Sequence, residues 1–484
     1  MINTVNNLTI YNSFNFKSKT SPALSQQIPD VRKEELQQVP VPTLVAYMLQ
    51  NKPVSEHGVT VTFSVPIELL EKKYLNFAKN DIDDLKMRAA KSAQVLNWID
   101  SLPQEQLQRL DEIYSLADRM KQNGGQKLGI IGIGGSKHTI ENLLSLNDKK
   151  DDVVFLSAVD PVSMDAFVKK LGDLKFANIL VASKSGTTLE PSVGYEYVEK
   201  IFVNKFKNDF LKQGLSQDDA LKKAEQETAK HFVCITDKDK TKSKLRRIAD
   251  EKGYQCGIIH DDCGGRFGAF DDHSLVSLAY SGMKKEDMKK MLEASAASQK
   301  KFLSKDLNIN LAMQRAIFNT DCVLNGKNNQ YDYYFGDSFE GTKLWNTQMK
   351  KESHKSSYKV SGDLIGPEFL HNSTESDLDK NNTTSFYTFN TIKNNNASEY
   401  KAYNALIKGS YKAYSSQHPV SIIELKDLSP ESIGEYIELK HFETIYTGML
   451  LRTIKGEKHP EVLPEVLQPN VSIYKNEVNQ ILKD

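Results

Sequence analysis

The sequence predicts an α/β protein with two sheet-forming halves. From Lys127 onward, short apolar runs at Leu128–Ile133, Val153–Ser157, Ile179–Ala182, Phe232–Thr236 and Gly257–His260 alternate with longer helix-period stretches. That alternation is the pattern of a doubly wound parallel sheet. A second series starts at Tyr331–Phe335 and continues through Ser385–Ile392 and Val420–Leu425. Finally, Ile179–Ala182 stops abruptly in Ser183-Lys184-Ser185-Gly186-Thr187-Thr188, and Pro191 suits the first turn of a following helix, so a hydroxyl-rich loop sits at a buried strand's carboxyl end.

The chain divides accordingly. Residues 1–45 read as an N-terminal arm punctuated by Pro40 and Pro42, just ahead of the apolar Leu44–Leu49. Residues 46–126 read as a helical layer: a strand at Val59–Val65, helices at Glu68–Ala78 and Asp83–Ile99, and a third helix at Gln104–Met120. Residues 127–290 form the first α/β domain and 291–484 the second, which ends in a helix. Residues 275–325 read as helices, and Asn381-Asn382 and Asn394–Asn396 as loop tips.

Composition narrows the classes of function. The 484 residues include 63 Lys plus Arg against 63 Asp plus Glu, so no global field recruits nucleic acid or an anionic membrane. No apolar run approaches the roughly 20 residues of a membrane span, and Met1–Asp30 lacks the basic and apolar regions of a signal peptide. Cys234, Cys256, Cys263 and Cys322 have no metal-ligand spacing and do not make a disulfide scaffold, which suits a reducing cytoplasm. The basic stretch Lys238–Arg247 is interleaved with Asp239 and lacks aromatic partners for bases, so it reads as the solvated start of a helix ending before Gly253.

The hydroxyl loop has the chemistry of a phosphate cradle. Ser183, Ser185, Thr187 and Thr188 supply hydroxyls, Gly186 permits inward-turned amides, Lys184 adds charge, and a helix N-terminus points at the same place. No Walker sequence is present, which favours a small phosphorylated metabolite over a nucleoside triphosphate. The alternative is an ordinary polar turn. Gly132-Ile133-Gly134-Gly135-Ser136 makes a second anion-friendly turn, leading into a helix that Ser136 can cap. A dinucleotide fingerprint would need glycine where Lys137 stands, although Asp160 lies near the place of a ribose-binding acid.

Four more residues stand out. Arg266 follows Gly264-Gly265 after the last strand of the first sheet, where it reaches the crevice or pairs with Asp261 or Asp262. Glu352, read as the end of a helix starting near Ser338, lies at i+7 from Trp345 and i+3 from Met349. A carboxylate on that apolar stripe suits proton transfer near neutral pH; the alternative is a frayed, solvated helix end. Lys475 shares a face with Val471, Tyr474, Val478, Ile481 and Leu482, where it either snorkels outward or points into a cleft. His371 has no periodic argument behind it.

Taken in order, Gly-Ile-Gly-Gly-Ser at 132–136, Ser-Lys-Ser-Gly-Thr-Thr-Leu-Glu-Pro at 183–191, Gly-Gly-Arg-Phe at 264–267, Glu352-Ser353, and Gln468-Pro469 with Val471 and Lys475 resemble the glucose-6-phosphate isomerase family of bacteria. The first two motifs also occur in other sugar isomerase (SIS) domain proteins, whereas the ordered set is far more specific. The resemblance spans roughly residue 127 to the end. It implies two SIS-type α/β/α sandwiches, with the active site between them and at a homodimer interface, and a phosphosugar substrate without metal or cofactor. By motif position, Ser183, Lys184, Ser185 and Thr188 would bind phosphate, Gly135 and Ser136 would line the sugar, and Gln468 would touch it. Arg266 would neutralise a cis-enediolate, Glu352 would move the proton between C1 and C2, and His371 with Lys475 would open the ring.

The chain departs from the family at several places. Gly268 stands where Ser or Thr is usual, the turn after Ser136 lacks a later glycine, Lys351 replaces a glycine, and His354-Lys355 replaces an acidic-glycine pair. Asn470 and Ser472 stand where Gly and Glu are common. Two further readings therefore remain beside a cytosolic glucose-6-phosphate isomerase: a sugar-phosphate sensor without catalysis, and an isomerase of another phosphosugar. Loss of Glu352 or Arg266 would have marked the sensor, and both are present.

Overall fold

The structure is a computed structural model that describes residues 58–91, 95–99, 101–361, 364–393 and 399–482. The expected arm at 1–45, the Leu44–Leu49 segment and the Asn394–Asn396 tip lie outside the described residues. The strands run in chain order as Val59–Phe63 (β1), Lys127–Ile131 (β2), Val153–Leu156 (β3), Ala177–Ala182 (β4), Phe232–Thr236 (β5), Gln255–Ile258 (β6), Asn329–Phe335 (β7), Lys359–Ser361 (β8), Ile365–Gly366 (β9), Ser385–Ile392 (β10) and Val420–Leu425 (β11). They form two sheets in two compact units. One unit takes Lys91–Ala296 and Ser338–Gln348; the other takes the described residues up to Ala90, Ala297–Asp337 and those from Met349.

The first unit holds a five-stranded sheet in the order β3-β2-β4-β5-β6, every neighbouring pair parallel. β4 and β5 are buried along their whole length, as strands covered by helices on both faces must be. Their inward residues meet Phe202, Tyr195 and Phe206 of the helix Leu189–Lys212 in one apolar cluster. Strand order reverses between β2 and β4, and such a switch point opens a crevice at the strands' carboxyl ends. The helix Pro161–Leu171 accounts for Asp160: its carboxylate caps the helix by accepting from Ser163 N at 2.9 Å.

The second sheet runs β1-β11-β10-β7-β8, with β9 also paired to β7. All its pairs are parallel except β1 with β11. The sequence reading counted the strand at Val59–Val65 with a helical layer laid on the first sheet; instead Val61 pairs with Ile423 as the second sheet's edge. In place of the two helices expected at Glu68–Ala78 and Asp83–Ile99 there is one helix, Ile67–Ala89, and the described residues 95–99 are not helical. The polar break between them is misleading because Asp81 points inward, accepting from Thr453 Oγ1 at 2.7 Å and lying 3.0 Å from His459 Nε2. The expected third helix is split into Leu102–Gln108 and Leu110–Gln122.

Five charges lie at zero exposure in this second unit. Arg315 Nε meets Glu443 at 2.8 Å, Lys350 meets Asp332 at 3.0 Å and Glu443 at 3.1 Å, and Lys440 stands 3.6 Å from Glu443 and 3.8 Å from Asp332. Buried ions survive only when paired and hydrogen-bonded. Arg315 meets this condition through Thr388 and Ser421 as well, whereas Lys440 is the loosely held member. Burial lowers the Lys440 ammonium to about 8, with Glu443 opposing the shift. An unfolded lysine keeps its proton to about pH 10.4, so between those values the unfolded chain binds more protons and stability from this group rises with pH. Lys440→Met is therefore expected to flatten the change in unfolding free energy between about pH 7 and about pH 9.5, measured by urea denaturation. An unchanged pH slope would contradict it.

Candidate active site

Within the first unit, two turns follow the strands that flank the switch point. After β2 comes Gly132–Ser136. The helix Gly135–Leu146 begins two residues earlier than expected and is capped by Gly134 at φ 58°, so Ser136 sits inside its first turn and does not cap it. Gly135 is required by close approach: a Cβ there would lie 2.4 Å from the carbonyl carbon of Gly265 and 2.6 Å from the Arg266 nitrogen. That contact joins the glycine turn to the Arg266 loop.

After β4 comes Ser183–Thr188. Ser183 is buried and its hydroxyl accepts from Gly186 N at 3.2 Å; Ser185 Oγ accepts from Thr187 N at 3.2 Å. Gly186 has φ 67° and approaches Leu245 so closely that a Cβ would meet its nitrogen at 2.3 Å. The carbonyls of Lys184 and Ser185 are turned away and accept from Asp237 N at 3.1 Å and Lys244 N at 2.8 Å. With those acceptors occupied elsewhere, hydroxyls and amides dominate the loop, as an anion cradle needs. Thr188 is the N-cap of Leu189–Lys212 without using its hydroxyl to cap it. Lys184 is held by Asp261, through a hydrogen bond to its carbonyl and a 3.3 Å ion pair. Asp261 also pairs with Lys242, which is the main reason its carboxyl stays below the usual range.

Arg266 is buried in the short turn Gly265–Phe267, and its carbonyl accepts from Trp345 Nε1 at 2.9 Å. Phe267 stacks on Trp98 at 5.1 Å. His260 and Asp271 staple the two ends of this loop at 2.7 Å. Burial alone would lower the His260 pKa, but the hydrogen bond and charge of Asp271 outweigh it and raise it; burial of Asp271 is outweighed in turn by His260, which lowers it. Gln348, not singled out by sequence, lies beside the glycine turn, its amide nitrogen 3.1 Å from the Cβ position of Gly134. The available signal was its place four residues before Glu352.

The helix Glu340–His354, which belongs to the second unit from Met349 onward, continues two residues past Glu352. Trp345 and Met349 are fully buried and Glu352 is half-buried, so the frayed end does not occur. Gln468 Nε2 donates to Glu352 Oε2, bringing two of the expected site residues together. His371 lies exposed in the short helix Glu368–Asn372, and Lys475 is exposed on Val471–Ile481. That last helix does not bury its apolar stripe: Tyr474, Ile481 and Leu482 are exposed, so Lys475 occupies no cleft within its own unit. Among the described residues no cluster of His, Cys, Asp and Glu could hold a metal, and no helix is long and apolar enough to cross a membrane.

These features define a class, a two-sheet α/β protein with a glycine-rich turn and a hydroxyl-rich turn at the first sheet's switch point. Residues 118–330 match the phosphoglucose isomerase family. The glucose-6-phosphate isomerase of Staphylococcus saprophyticus is 25% identical across 63% of this chain and 65% of its own length, and that of Clostridium novyi 28% identical across 54% and 56%. The chain thus spans less than two thirds of these curated relatives. A crystal structure of a glucose-6-phosphate isomerase from Chlamydia trachomatis shares the fold, with a TM-score of 0.70 at 20% identity over 90% of each chain. A Thermus thermophilus protein matches at 0.69 and 20%, over 86% of this chain and 97% of its own.

Gly135→Ala is expected to destabilise the first unit by about 1–3 kcal/mol, since the added methyl meets backbone that must move. Both tryptophans flank the displaced turn, so intrinsic fluorescence should change alongside the urea midpoint. Wild-type stability with an unaltered spectrum would show that the close approach is absent.

Proposed function

We propose that the chain is a glucose-6-phosphate isomerase, interconverting glucose 6-phosphate and fructose 6-phosphate through a cis-enediol(ate), in glycolysis and gluconeogenesis and without metal or redox cofactor. The observation that carries this reading over a mere phosphosugar sensor is Glu352, a half-buried helix carboxylate hydrogen-bonded by Gln468. Isomerisation needs one base for a C–H proton, an anchored substrate and a cation beside the developing oxyanion. In this reading Ser183, Lys184, Ser185 and Thr188 hold the phosphate, Gly135, Ser136 and Gln468 contact the sugar, and Arg266 stabilises the enediolate. Glu352 carries the proton between C2 and C1, and His371 with Lys475 opens the ring. Support comes from the family match, the relatives' names and the two turns at the switch point.

Glu352→Gln preserves shape and removes the base. It should cut kcat by roughly 10² or more with little change in KM, in a coupled assay converting fructose 6-phosphate to glucose 6-phosphate. Near wild-type turnover would exclude Glu352 as the base; an inactive parent protein that turns over a different 6-phosphosugar would redirect the substrate.

The reading includes a cytoplasmic homodimer with shared sites. Four free cysteines suit a reducing compartment, and the exposure of His371 suits a residue offered to a partner. If His371 serves the neighbour's site, mixing Glu352→Gln with His371→Ala under subunit exchange should restore roughly a quarter of wild-type activity, because half the sites in each heterodimer are intact. No recovery would place His371 within its own chain's site.

A further inference from the structure

We propose that Lys355 is a positioning residue that ties the Pro464–Val466 turn, and through it Gln468, to the end of the helix carrying Glu352. The inference deepens the isomerase reading and rests on it. Lys355 directly follows Glu340–His354 and has φ 52°, the left-handed conformation in which glycine commonly ends a helix. A lysine adopts it less readily than glycine, so backbone preference does not explain the residue. Its ammonium does. Nζ donates to the carbonyl of Glu352 at 3.1 Å and to the carbonyl of Pro464.

The last carbonyls of a helix lack intrahelical partners and carry its negative dipole end, so a cation there is well placed. By engaging Pro464 as well, this cation links two segments distant in sequence. Four residues beyond Pro464, Gln468 donates to the Glu352 carboxylate. The same turn is fixed on its other side by Arg452, which holds Glu465 at both oxygens, and by Gly448, where a Cβ would sit 2.1 Å from Glu465 Oε1. Glu465 thereby joins the turn to the helix Pro430–Ile454, and Lys355 joins it to the helix of the base. Removing the ammonium leaves the attachment through Glu465 but none to the helix of the base through Lys355, and the approach of Gln468 to Glu352 loosens.

Three variants separate positioning from structural support. Lys355→Gly relieves the backbone and removes the ammonium, Lys355→Met removes the ammonium alone, and Lys355→Arg restores a cation. For Lys355→Gly we expect a melting temperature equal to or above the parent's, together with a kcat lowered about tenfold and KM within about twofold. Lys355→Met should lose kcat similarly, and Lys355→Arg should recover part of it. Amide hydrogen exchange across 464–470, read by mass spectrometry without substrate, should quicken in the Gly and Met variants. Unchanged exchange overturns the clamp, and faster exchange with unchanged kcat overturns the positioning role. If the parent shows no isomerase activity, the functional reading fails, and exchange alone then decides whether Lys355 holds the turn.

Discussion

The first unit's candidate site depends on a backbone-to-backbone contact that only glycine permits. Gly135 meets the Gly265–Arg266 peptide with no space for a Cβ, and this contact brings the backbone of the buried Arg266 to the turn that follows β2. Three contacts hold the loop around it: Trp345 takes the Arg266 carbonyl, Trp98 covers Phe267, and His260 pairs with Asp271 across the loop's ends. The topology supplies the second turn. Because strand order reverses between β2 and β4, their carboxyl-end loops diverge and leave room for a ligand, and the loop after β4 turns two of its carbonyls outward.

Much of this was legible in the sequence because it rests on local signals. β10 and β11 have the expected bounds, since runs such as Ser385–Ile392 and Val420–Leu425 are apolar or β-branched enough to be strands wherever they lie. The hydroxyl loop and the glycine turn stand between a strand and a helix as expected, because glycine, hydroxyl residues and proline in tight succession are local signals. What failed depended on distant partners. Nothing near Val59–Phe63 shows that it will pair with Val420–Leu425, and Asp81 resembles a helix break until Thr453 and His459 are known to receive it. At Lys475 the apolar stripe is present by spacing, yet its own unit leaves Tyr474, Ile481 and Leu482 exposed, which agrees with the outward alternative.

The five buried charges of the second unit were equally invisible, since each sits in a stretch that reads as ordinary helix or strand. Their arrangement has a consequence for Glu352. Lys350, two residues earlier, is bound to both Asp332 and Glu443, so the helix cannot rotate about its axis without separating fully buried ions. Breaking such a pair is far costlier than replacing it, at about 3–5 kcal/mol. An ionic network of doubtful net stability thus sets orientation, and the half-buried face presented by Glu352 follows from it.

That anchoring explains how the chain tolerates departures around the residue read as its base. Lys351 points outward and is exposed, so it adds no burial cost. His354 is buried, where burial above all, aided by the nearby Lys350, lowers its pKa to about 4, so the imidazole is neutral near pH 7 and introduces no charge. Its Nε2 lies 2.9 Å from the Thr444 carbonyl and its ring stacks on Tyr358 at 4.8 Å, filling the space as a packed aromatic group. An acidic side chain at that position would have to be buried close to Glu443, whose carboxylate already engages Arg315 and Lys350; the neutral ring avoids that repulsion. Lys355 then takes the left-handed conformation and turns its ammonium back onto the helix end. The substitutions compensate one another: a negative charge is absent at 354, and the positive charge at 355 meets the carbonyl oxygens of Glu352 and Pro464.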